Sequence, residues 1–174
     1  MTSELSNLRQ VTESDSALIL TWRNHPDIRK WMYSSAEISA AEHDQWFKMA
    51  SADPTRTLLI YSEAQMPLGF LNFKELSGSR VAEWGFYTSP DAPKGTGAKM
   101  GTLALKYAFE QRNFRKIFAT VLDFNVRSIR YHLRLGFKEE GILRSHHFDG
   151  ETYHDVHCFG LLQDEWRETS QAAF

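Results

Sequence analysis

The 174-residue chain contains a single cysteine, Cys158, and no long apolar run. One cysteine excludes an intramolecular disulfide and a cysteine-based zinc cluster, and it favours a reducing compartment. No apolar stretch approaches the roughly 20 residues that a membrane span needs, and the N-terminus lacks the basic and apolar regions of a signal peptide. We therefore expect a cytoplasmic protein with no membrane partner.

The chain also has no large excess of one sign of charge, because its formal net charge is only -2. Nucleic acids are bound by a surplus of lysine and arginine on one face, so the composition predicts no nucleic-acid partner. Apolar residues, at 42%, and aromatic residues, at 13%, are abundant enough for a sizeable core. The length and the absence of a linker predict one domain over residues 1–168, with a flexible tail over 169–174.

The hydrophobic pattern predicts a mostly helical first third followed by strands. One of the early helices opens with a capping box formed by Ser39 and Glu42. From Thr57 onward the pattern is typical of an antiparallel meander. A buried strand, a helix and a final hairpin around Asp149-Gly150 follow, with predicted strands over 58–62, 68–76, 80–88, 116–122, 137–147 and 152–161.

The most informative segment is the glycine-rich turn Pro93–Gly101, between a predicted strand and a strongly periodic helix. Glycines let the backbone approach a ligand closely, and the first free N–H groups of a helix stabilise negative oxygens. A Walker A loop needs four residues between its glycines, and a dinucleotide fingerprint needs a preceding βαβ unit, so neither fits. The turn therefore predicts a pyrophosphate site.

A polar row follows on the helix predicted over residues 125–135. Asn125, Ser128 and His132 stand at i, i+3 and i+7 and so share one face. His132 is a candidate general acid because an imidazolium can donate a proton near neutral pH. Tyr131, about 100° away around the helix, is an alternative acid, and a purely structural His132 is a third interpretation. Glu83 is a candidate general base, directly or through water.

The glycine turn, preceded by Trp84-Gly85-Phe86-Tyr87-Thr88 and followed by the row up to Gly136-Phe137, resembles the GCN5-related N-acetyltransferases (GNAT) over about residues 7–165. The resemblance implies an α/β (α+β) fold with one mixed, mostly antiparallel twisted sheet of about seven strands, a splayed central pair and about four helices. It also implies acetyl-CoA as cosubstrate, direct transfer and no metal. The chain departs from the family at Ala92, usually Arg or Gln, and at His132, usually Tyr.

By this resemblance, the amides of the glycine turn bind the pyrophosphate of acetyl-CoA, while the strand before it and the polar row hold the pantetheine arm. Backbone N–H groups of that strand would polarise the thioester carbonyl. The predicted cofactor-binding residues are Phe86, Tyr87, Thr88, Lys94, Gly95, Thr96, Gly97, Ala98, Lys99, Met100, Asn125, Ser128 and His132.

The N-terminal helices concentrate aromatic and cationic side chains, a mixture that suits a nucleotide-sugar, because aromatic faces stack a base and Arg or His pairs with a diphosphate. This segment resembles the N-acetyltransferases of pseudaminic acid biosynthesis, which acetylate the 4-amino group of UDP-4-amino-4,6-dideoxy-N-acetyl-β-L-altrosamine on the route to flagellin glycosylation. Trp22 and Phe47 are expected in the core. The resemblance implies substrate binding by Arg23, Met32, Tyr33, His43, Trp46, Asn72 and Lys74.

Two alternatives stay open at this point. The same fold could acetylate a ribosomal-protein N-terminus or a polyamine, or it could bind CoA without turnover. A homodimer is also left open. Counting back from a two-residue turn at Asp149-Gly150 places His147 opposite Thr152 and His154 opposite Ser145, so these histidines do not converge and no metal site is predicted.

Overall fold

Strands and helices follow one another along the chain in a computed structural model that describes residues 6–76 and 78–171. The strands are β1 (Ser6–Gln10), β2 (Arg56–Glu63), β3 (Met66–Leu76), β4 (Val81–Thr88), β5 (Lys116–Leu122), β6 (Lys138–Phe148) and β7 (Tyr153–Leu162). The helices are α1 (Ser16–Asn24), α2 (Pro26–Arg29), α3 (Ala40–Ala52), α4 (Thr96–Lys106), α5 (Val126–Arg134) and α6 (Gln163–Gln171), with a π-helical turn (Tyr107–Gln111) after α4.

The seven strands form a sheet in the order β1-β2-β3-β4-β5-β7-β6. This confirms the predicted class, with about six helices in place of the expected four. Strand β4 pairs in parallel with β5 over only three residue pairs, from Val81↔Lys116 to Glu83↔Phe118, whereas β1–β2, β2–β3, β5–β7 and β6–β7 are antiparallel. The short parallel ladder is the predicted splayed pair.

The chain divides into two compact units, described separately below. The N-terminal unit runs to Lys74 and includes Gly85–Ala104, whereas the C-terminal unit comprises Glu75–Trp84 and the chain from Leu105 onward. The single domain over 1–168 stays a prediction. Helix α6 extends to Gln171, where a tail was expected, and residues 172–174 of that tail lie outside the described residues.

The core of the N-terminal unit forms where α1 and α3 pack on β2 and β3. Trp22 and Phe47 are buried in it, as expected from their helical spacing, together with Ile19, Ala50, Leu58, Ile60 and Phe70. The capping box of α3 is confirmed: the Glu42 amide donates to Ser39 Oγ at 3.2 Å, and the Ser39 amide donates to Glu42 Oε2 at 2.8 Å. These reciprocal bonds satisfy helix N–H groups that no carbonyl can reach.

In the C-terminal unit, α5 starts at an Asn125 N-cap, whose Oδ1 accepts from the Ser128 amide at 3.1 Å, and ends before Gly136. Gly136 has φ +90°, the left-handed conformation that favours glycine after a helix. The α6 helix, which the hydrophobic pattern did not predict, is fastened by Gln163, whose Nε2 donates to the Phe109 carbonyl at 2.7 Å.

The predicted register of the final hairpin is wrong. The Asp149 side chain accepts from the amides of Glu151 and Thr152, both at 2.8 Å, and the Asp149 amide donates to the Thr152 carbonyl, so the turn spans four residues instead of two. Phe148 therefore pairs with Tyr153, and His147 lies opposite His154. Asp side chains commonly stabilise turns in this way.

Within the N-terminal unit, one close contact sets the start of α4 against β3. Met100 is fully buried, and a Cβ added to Gly69 would lie 2.4 Å from Met100 Sδ and 3.3 Å from the Tyr87 carbonyl oxygen. A larger residue at 69 would force the Met100 side chain to move. The contact places the first turn of α4, and with it the glycine-rich turn.

We expect Gly69→Ala to lower the free energy of unfolding by about 1–3 kcal/mol, because the new methyl group overpacks the Met100 site. Chemical denaturation measures the change. Gly85→Ala is the matched control, since a Cβ there meets no atom within 4 Å. Adding Met100→Ala should remove most of the cost of Gly69→Ala, and an undiminished cost in that background would contradict the overpacking account.

Candidate active site

The glycine-rich turn has the backbone geometry of an anion site. Gly95 has φ +92°, and a Cβ placed on it would meet no atom within 4 Å, so the space above it is open. The amides of Ala98 and Lys99 donate to the Gly95 carbonyl, at 3.1 and 3.3 Å. Within the described ranges, no group accepts from the amides of Lys94 and Gly95. These donors, ahead of the helix N-terminus, fit a pyrophosphate.

The side chains of this turn contribute less than its backbone. Lys99 Nζ is paired with Glu63 Oε2 at 3.0 Å, and Met100 packs on Gly69 inside the N-terminal unit. Thr96 is buried, whereas Lys94 is exposed. Of the two lysines predicted to supply charge, Lys99 therefore has its charge balanced by a carboxylate. Since Ala92 also offers no polar contact, the anion would rest on backbone N–H groups.

We expect Gly95→Ala to raise KM for acetyl-CoA about tenfold or more, because alanine disfavours the positive φ of this turn and its methyl group enters the open space. Steady-state kinetics at saturating acceptor measures the effect. Gly78→Ala is the control, because Gly78 also has a positive φ, +67°, and an open Cβ position. Equal changes in KM for the two variants would rule out a specific role for Gly95.

Tyr87 turns its side chain toward α1. Its ring lies 5.4 Å from that of Phe70, and its hydroxyl donates to the Ile19 carbonyl at 3.4 Å. Burial raises the pKa of Tyr87, so the phenol keeps its proton. The side chain is thus part of the N-terminal core, and only the backbone of Tyr87 is left for its predicted cofactor contact.

Two of the residues predicted to bind the acceptor, Arg23 and His43, each have a buried nitrogen without a hydrogen-bond partner in the described part of the chain. Arg23 Nη2 donates to the Ser34 carbonyl at 3.0 Å, but Arg23 Nη1 has no hydrogen-bond partner in the described part of the chain. His43, which is 3% exposed, contacts Ser16 Oγ through Nδ1 at 3.3 Å, and its Nε2 is likewise without a partner there. Burial lowers the pKa of both side chains.

Ser16 and Arg23 are seven residues apart on α1 and therefore lie on one face of the helix. Through Ser16, this face contacts His43 of α3, and Ile19 between them accepts from Tyr87. An unpartnered buried polar atom costs about 1–3 kcal/mol, so two of them, Arg23 Nη1 on this face of α1 and His43 Nε2 on α3, need a reason. A ligand rich in acceptor oxygens would supply the missing partners.

The other predicted acceptor residues separate into two places. Met32 and Tyr33 lie in the loop after α2, where Tyr33 is exposed. Asn72 and Lys74 on β3 are occupied instead by side-chain contacts, since Asn72 Oδ1 accepts from Arg56 at 3.3 Å and Lys74 pairs with Asp53 at 2.5 Å. Their partners Arg56 and Asp53 line a cavity of about 370 Å³, together with Glu42, Gln45, Trp46, Met49 and Ala50.

His132, in the C-terminal unit, has both ring nitrogens engaged. Trp84 Nε1 donates to His132 Nε2 at 3.1 Å, which leaves Nδ1 to donate to the Ser128 carbonyl at 2.8 Å. The ring stacks on Phe159 with 5.4 Å between centroids, and the residue is 2% exposed. Burial lowers the pKa of His132 to about 4. At neutral pH this imidazole is uncharged and holds its one N–H in a backbone bond.

The geometry therefore favours the structural interpretation of His132 over the general acid. Tyr131, next to it, is half-buried, and burial raises its pKa, so it retains its proton. Glu83 precedes Trp84 on β4, so its side chain projects from the opposite face of the strand. There Thr120 Oγ1 donates to Glu83 Oε1 at 3.5 Å. Trp84 was missed as a partner of His132, since 48 residues separate them and no spacing rule links them.

A protonation test follows from the low pKa of His132. The unfolded state binds a proton near pH 6.5 and the folded state only near pH 4, so His132 should cost up to roughly 3 kcal/mol of stability as pH falls through this window. Urea unfolding at pH 7 and pH 5 measures it. The difference between wild type and His132→Asn isolates this histidine from His43, and parallel pH profiles of the two proteins would refute the buried neutral imidazole.

Among the described residues, no group of three or more His, Cys, Asp or Glu is arranged to hold a metal ion. In the same part of the chain, no helix has the length and apolarity to cross a membrane.

Comparison with known proteins places this geometry among acetyltransferases. The family described as "Acetyltransferase (GNAT) domain" matches residues 7–138. Acetyltransferase PseH of Campylobacter jejuni is 26% identical over 129 residues, covering 74% of this chain and 80% of that protein. An uncharacterized prophage-derived N-acetyltransferase of Bacillus subtilis, YokL, is 36% identical over 86 residues, covering 48% of this chain and 49% of that protein.

Among solved structures, spermidine N-acetyltransferase from Vibrio cholerae in complex with CoA and spermine matches with a TM-score of 0.86 and 24% identity, over 95% of this chain and 99% of that one. A dodecameric structure of spermidine N-acetyltransferase from the same organism matches with a TM-score of 0.80 and 23% identity, over 97% and 99% of the chains. At these identities the matches bear on the fold alone.

Proposed function

Since this chain belongs to the GNAT acetyltransferase family, it is an acetyl-CoA-dependent N-acetyltransferase, and we propose that its acceptor is the amino group of a nucleotide-linked sugar. The specific acceptor we propose is the 4-amino group of UDP-4-amino-4,6-dideoxy-N-acetyl-β-L-altrosamine, as in pseudaminic acid biosynthesis. PseH, similar over 74% of this chain, supports this choice. The observation that carries it is the pair of unpartnered buried nitrogens at Arg23 and His43.

Those two nitrogens specify what kind of ligand fits. Arg23 Nη1 is a donor, and His43 Nε2 is a donor when the Ser16 hydroxyl donates to Nδ1. A diphosphate offers several acceptor oxygens and two negative charges, and charge-assisted bonds to Arg are about twice as strong as neutral ones. Binding such a ligand would satisfy both buried groups.

The exposed aromatic side chains beside this face add a stacking surface for a base. Tyr33 is 46% exposed in the loop after α2, next to Ser34, whose carbonyl accepts from Arg23. The Asn24 side chain closes the same loop, with Nδ2 donating to the Ile38 carbonyl at 2.8 Å and Oδ1 accepting from its amide at 2.9 Å. Bonds at Ser34 and Ile38 hold this loop in place, and a loop that is already ordered loses less entropy when its aromatic residues bind a ligand.

A polyamine acceptor is the second candidate, favoured by the fold likeness to the Vibrio cholerae spermidine N-acetyltransferase. Polyamines carry positive charges and N–H donors, so they cannot satisfy donors at Arg23 and His43 and would be repelled by the guanidinium. A ribosomal-protein N-terminus meets the same objection. A CoA-binding module without turnover is disfavoured by membership of the acetyltransferase family.

We propose that the chain's residues share the chemistry as follows. In the N-terminal unit, the amides around Gly95 hold the pyrophosphate of acetyl-CoA, and the backbone of Phe86–Thr88 contacts its pantetheine arm. In the C-terminal unit, Asn125 and Ser128 are the cosubstrate-binding residues. Glu83 accepts a proton from the acceptor amine, so that the neutral amine attacks the thioester. As the C–S bond breaks, Tyr131 donates its proton to the departing thiolate and regains one from the acylated nitrogen; His132 is the poorer donor because both of its ring nitrogens are engaged.

The proposal is tested by thiol release from acetyl-CoA with a panel of acceptors: UDP-4-amino-sugars, the corresponding free amino-sugars, spermidine and a ribosomal-protein N-terminal peptide. We expect turnover with the UDP-linked sugars, weaker turnover with the free sugars and little with the cationic acceptors. Preferred turnover of spermidine would overturn the acceptor assignment. Acetyl-CoA binding without thiol release for any acceptor would favour the non-catalytic module.

Arg23→Gln and His43→Gln should each raise KM for a UDP-amino-sugar about tenfold, because each removes a buried bond to the diphosphate, while KM for acetyl-CoA stays within about twofold. Steady-state kinetics with one substrate saturating separates the two constants. Arg29→Gln is the control, since Arg29 lies on the neighbouring helix and pairs with Glu37 at 3.6 Å. If Arg29→Gln changed acceptor KM as much as Arg23→Gln, the site would be misplaced.

A further inference from the structure

We propose that His154, on β7, is a positioning residue for the acetyl-transfer reaction, because it fastens the segment that leads into α5. This segment, Asp123 to Asn125, joins the end of β5 to the helix that carries the predicted cofactor contacts Asn125 and Ser128. The inference rests on the proposed contact of these two residues with acetyl-CoA. It assigns a role to a histidine that the reaction itself does not require.

His154 bridges two carboxylates from different parts of the C-terminal unit. Nδ1 donates to Asp123 Oδ1 at 3.2 Å, and Nε2 donates to Asp149 Oδ2 at 2.8 Å. A ring that donates from both nitrogens is an imidazolium. The side chain is only 17% exposed, and the ring of Phe124 meets it edge-on, with 4.8 Å between centroids.

Asp123 connects His154 to the segment from which α5 begins. Its Oδ1 also accepts from the Phe124 amide at 2.7 Å, and its Oδ2 accepts from the Asp155 amide at 3.2 Å. The next residue, Asn125, donates its amide to the Leu122 carbonyl at 2.9 Å and caps α5 through the Ser128 amide. The carboxylate of Asp123 therefore ties the turn from which α5 begins to β7.

The charges around His154 make the bridge dependent on pH. Asp123 faces it from the turn after β5 and Asp149 from the hairpin turn, while Asp155 is its neighbour on β7 and His147 lies opposite on β6. Hydrogen bonds to Asp149 and Asp123 raise the pKa of His154 above its usual value. The bridge is thus complete below about pH 6.5 and is lost as pH rises through the raised pKa.

The experiment measures acetyl-CoA affinity without acceptor, by calorimetry from pH 6.5 to 9. We expect the wild type to lose about fivefold in affinity across this range, because the neutral ring can donate to only one carboxylate. His154→Gln should bind about fivefold more weakly at pH 6.5 and show no further loss. His157→Gln is the matched control, a histidine on the same strand that bonds Glu139 Oε2 at 2.8 Å; it should keep the wild-type profile.

A second variant guards against a general loss of folding. Asp149→Asn removes one carboxylate charge from the bridge and should shift the affinity loss to lower pH while leaving the low-pH affinity near that of the wild type. A wild-type profile in His154→Gln, or an equally weakened affinity at pH 6.5 in His157→Gln, would overturn the positioning role. Because no acceptor is present, these results stand apart from the acceptor panel, whose failure would leave acetyl-CoA binding measurable.

Discussion

A polar atom taken out of water must find a hydrogen-bond partner, and this constraint separates the structural from the ligand-binding polar groups of the chain. Asp15 is 6% exposed and fully engaged, since both carboxylate oxygens accept from Arg9 at 2.7 Å. His132 is equally satisfied by Trp84 and the Ser128 carbonyl. Arg23 and His43 are the contrasting case, and the proposed acceptor is inferred from what they lack.

Much of the fold could be predicted from local pattern. The capping box at Ser39, the buried strand β5 and the glycine after α5 depend on residues near one another in sequence, and each lies where it was expected. The hairpin register could not be predicted, because the Asp149 side chain stabilises a four-residue turn where the Asp-Gly pair alone favours two. The α6 helix depends on the bond from Gln163 to Phe109, which no local pattern encodes.

In the candidate site too, the local motif could be predicted from the sequence, whereas the side-chain partners could not. The glycine-rich turn is a local motif, and its backbone has the conformation that the motif requires. Side-chain roles were harder to foresee, because Lys99, Asn72 and Lys74 each have a partner elsewhere in the N-terminal unit: Glu63, Arg56 and Asp53. A sequence displays which charges are present but not which are already balanced. For this reason the backbone conformation of the glycine turn could be predicted from the sequence, whereas the partner of Lys99 could not.

The packing of Met100 on Gly69 also has an evolutionary consequence. A Cβ at position 69 would overlap the Met100 sulfur, so a larger residue there requires Met100 either to move or to be replaced by a smaller residue. In related chains the two positions should therefore vary together, with combined volume conserved instead of either identity. Since position 100 lies in α4, substitutions at position 69 of β3 are restrained by the helix that follows the glycine-rich turn.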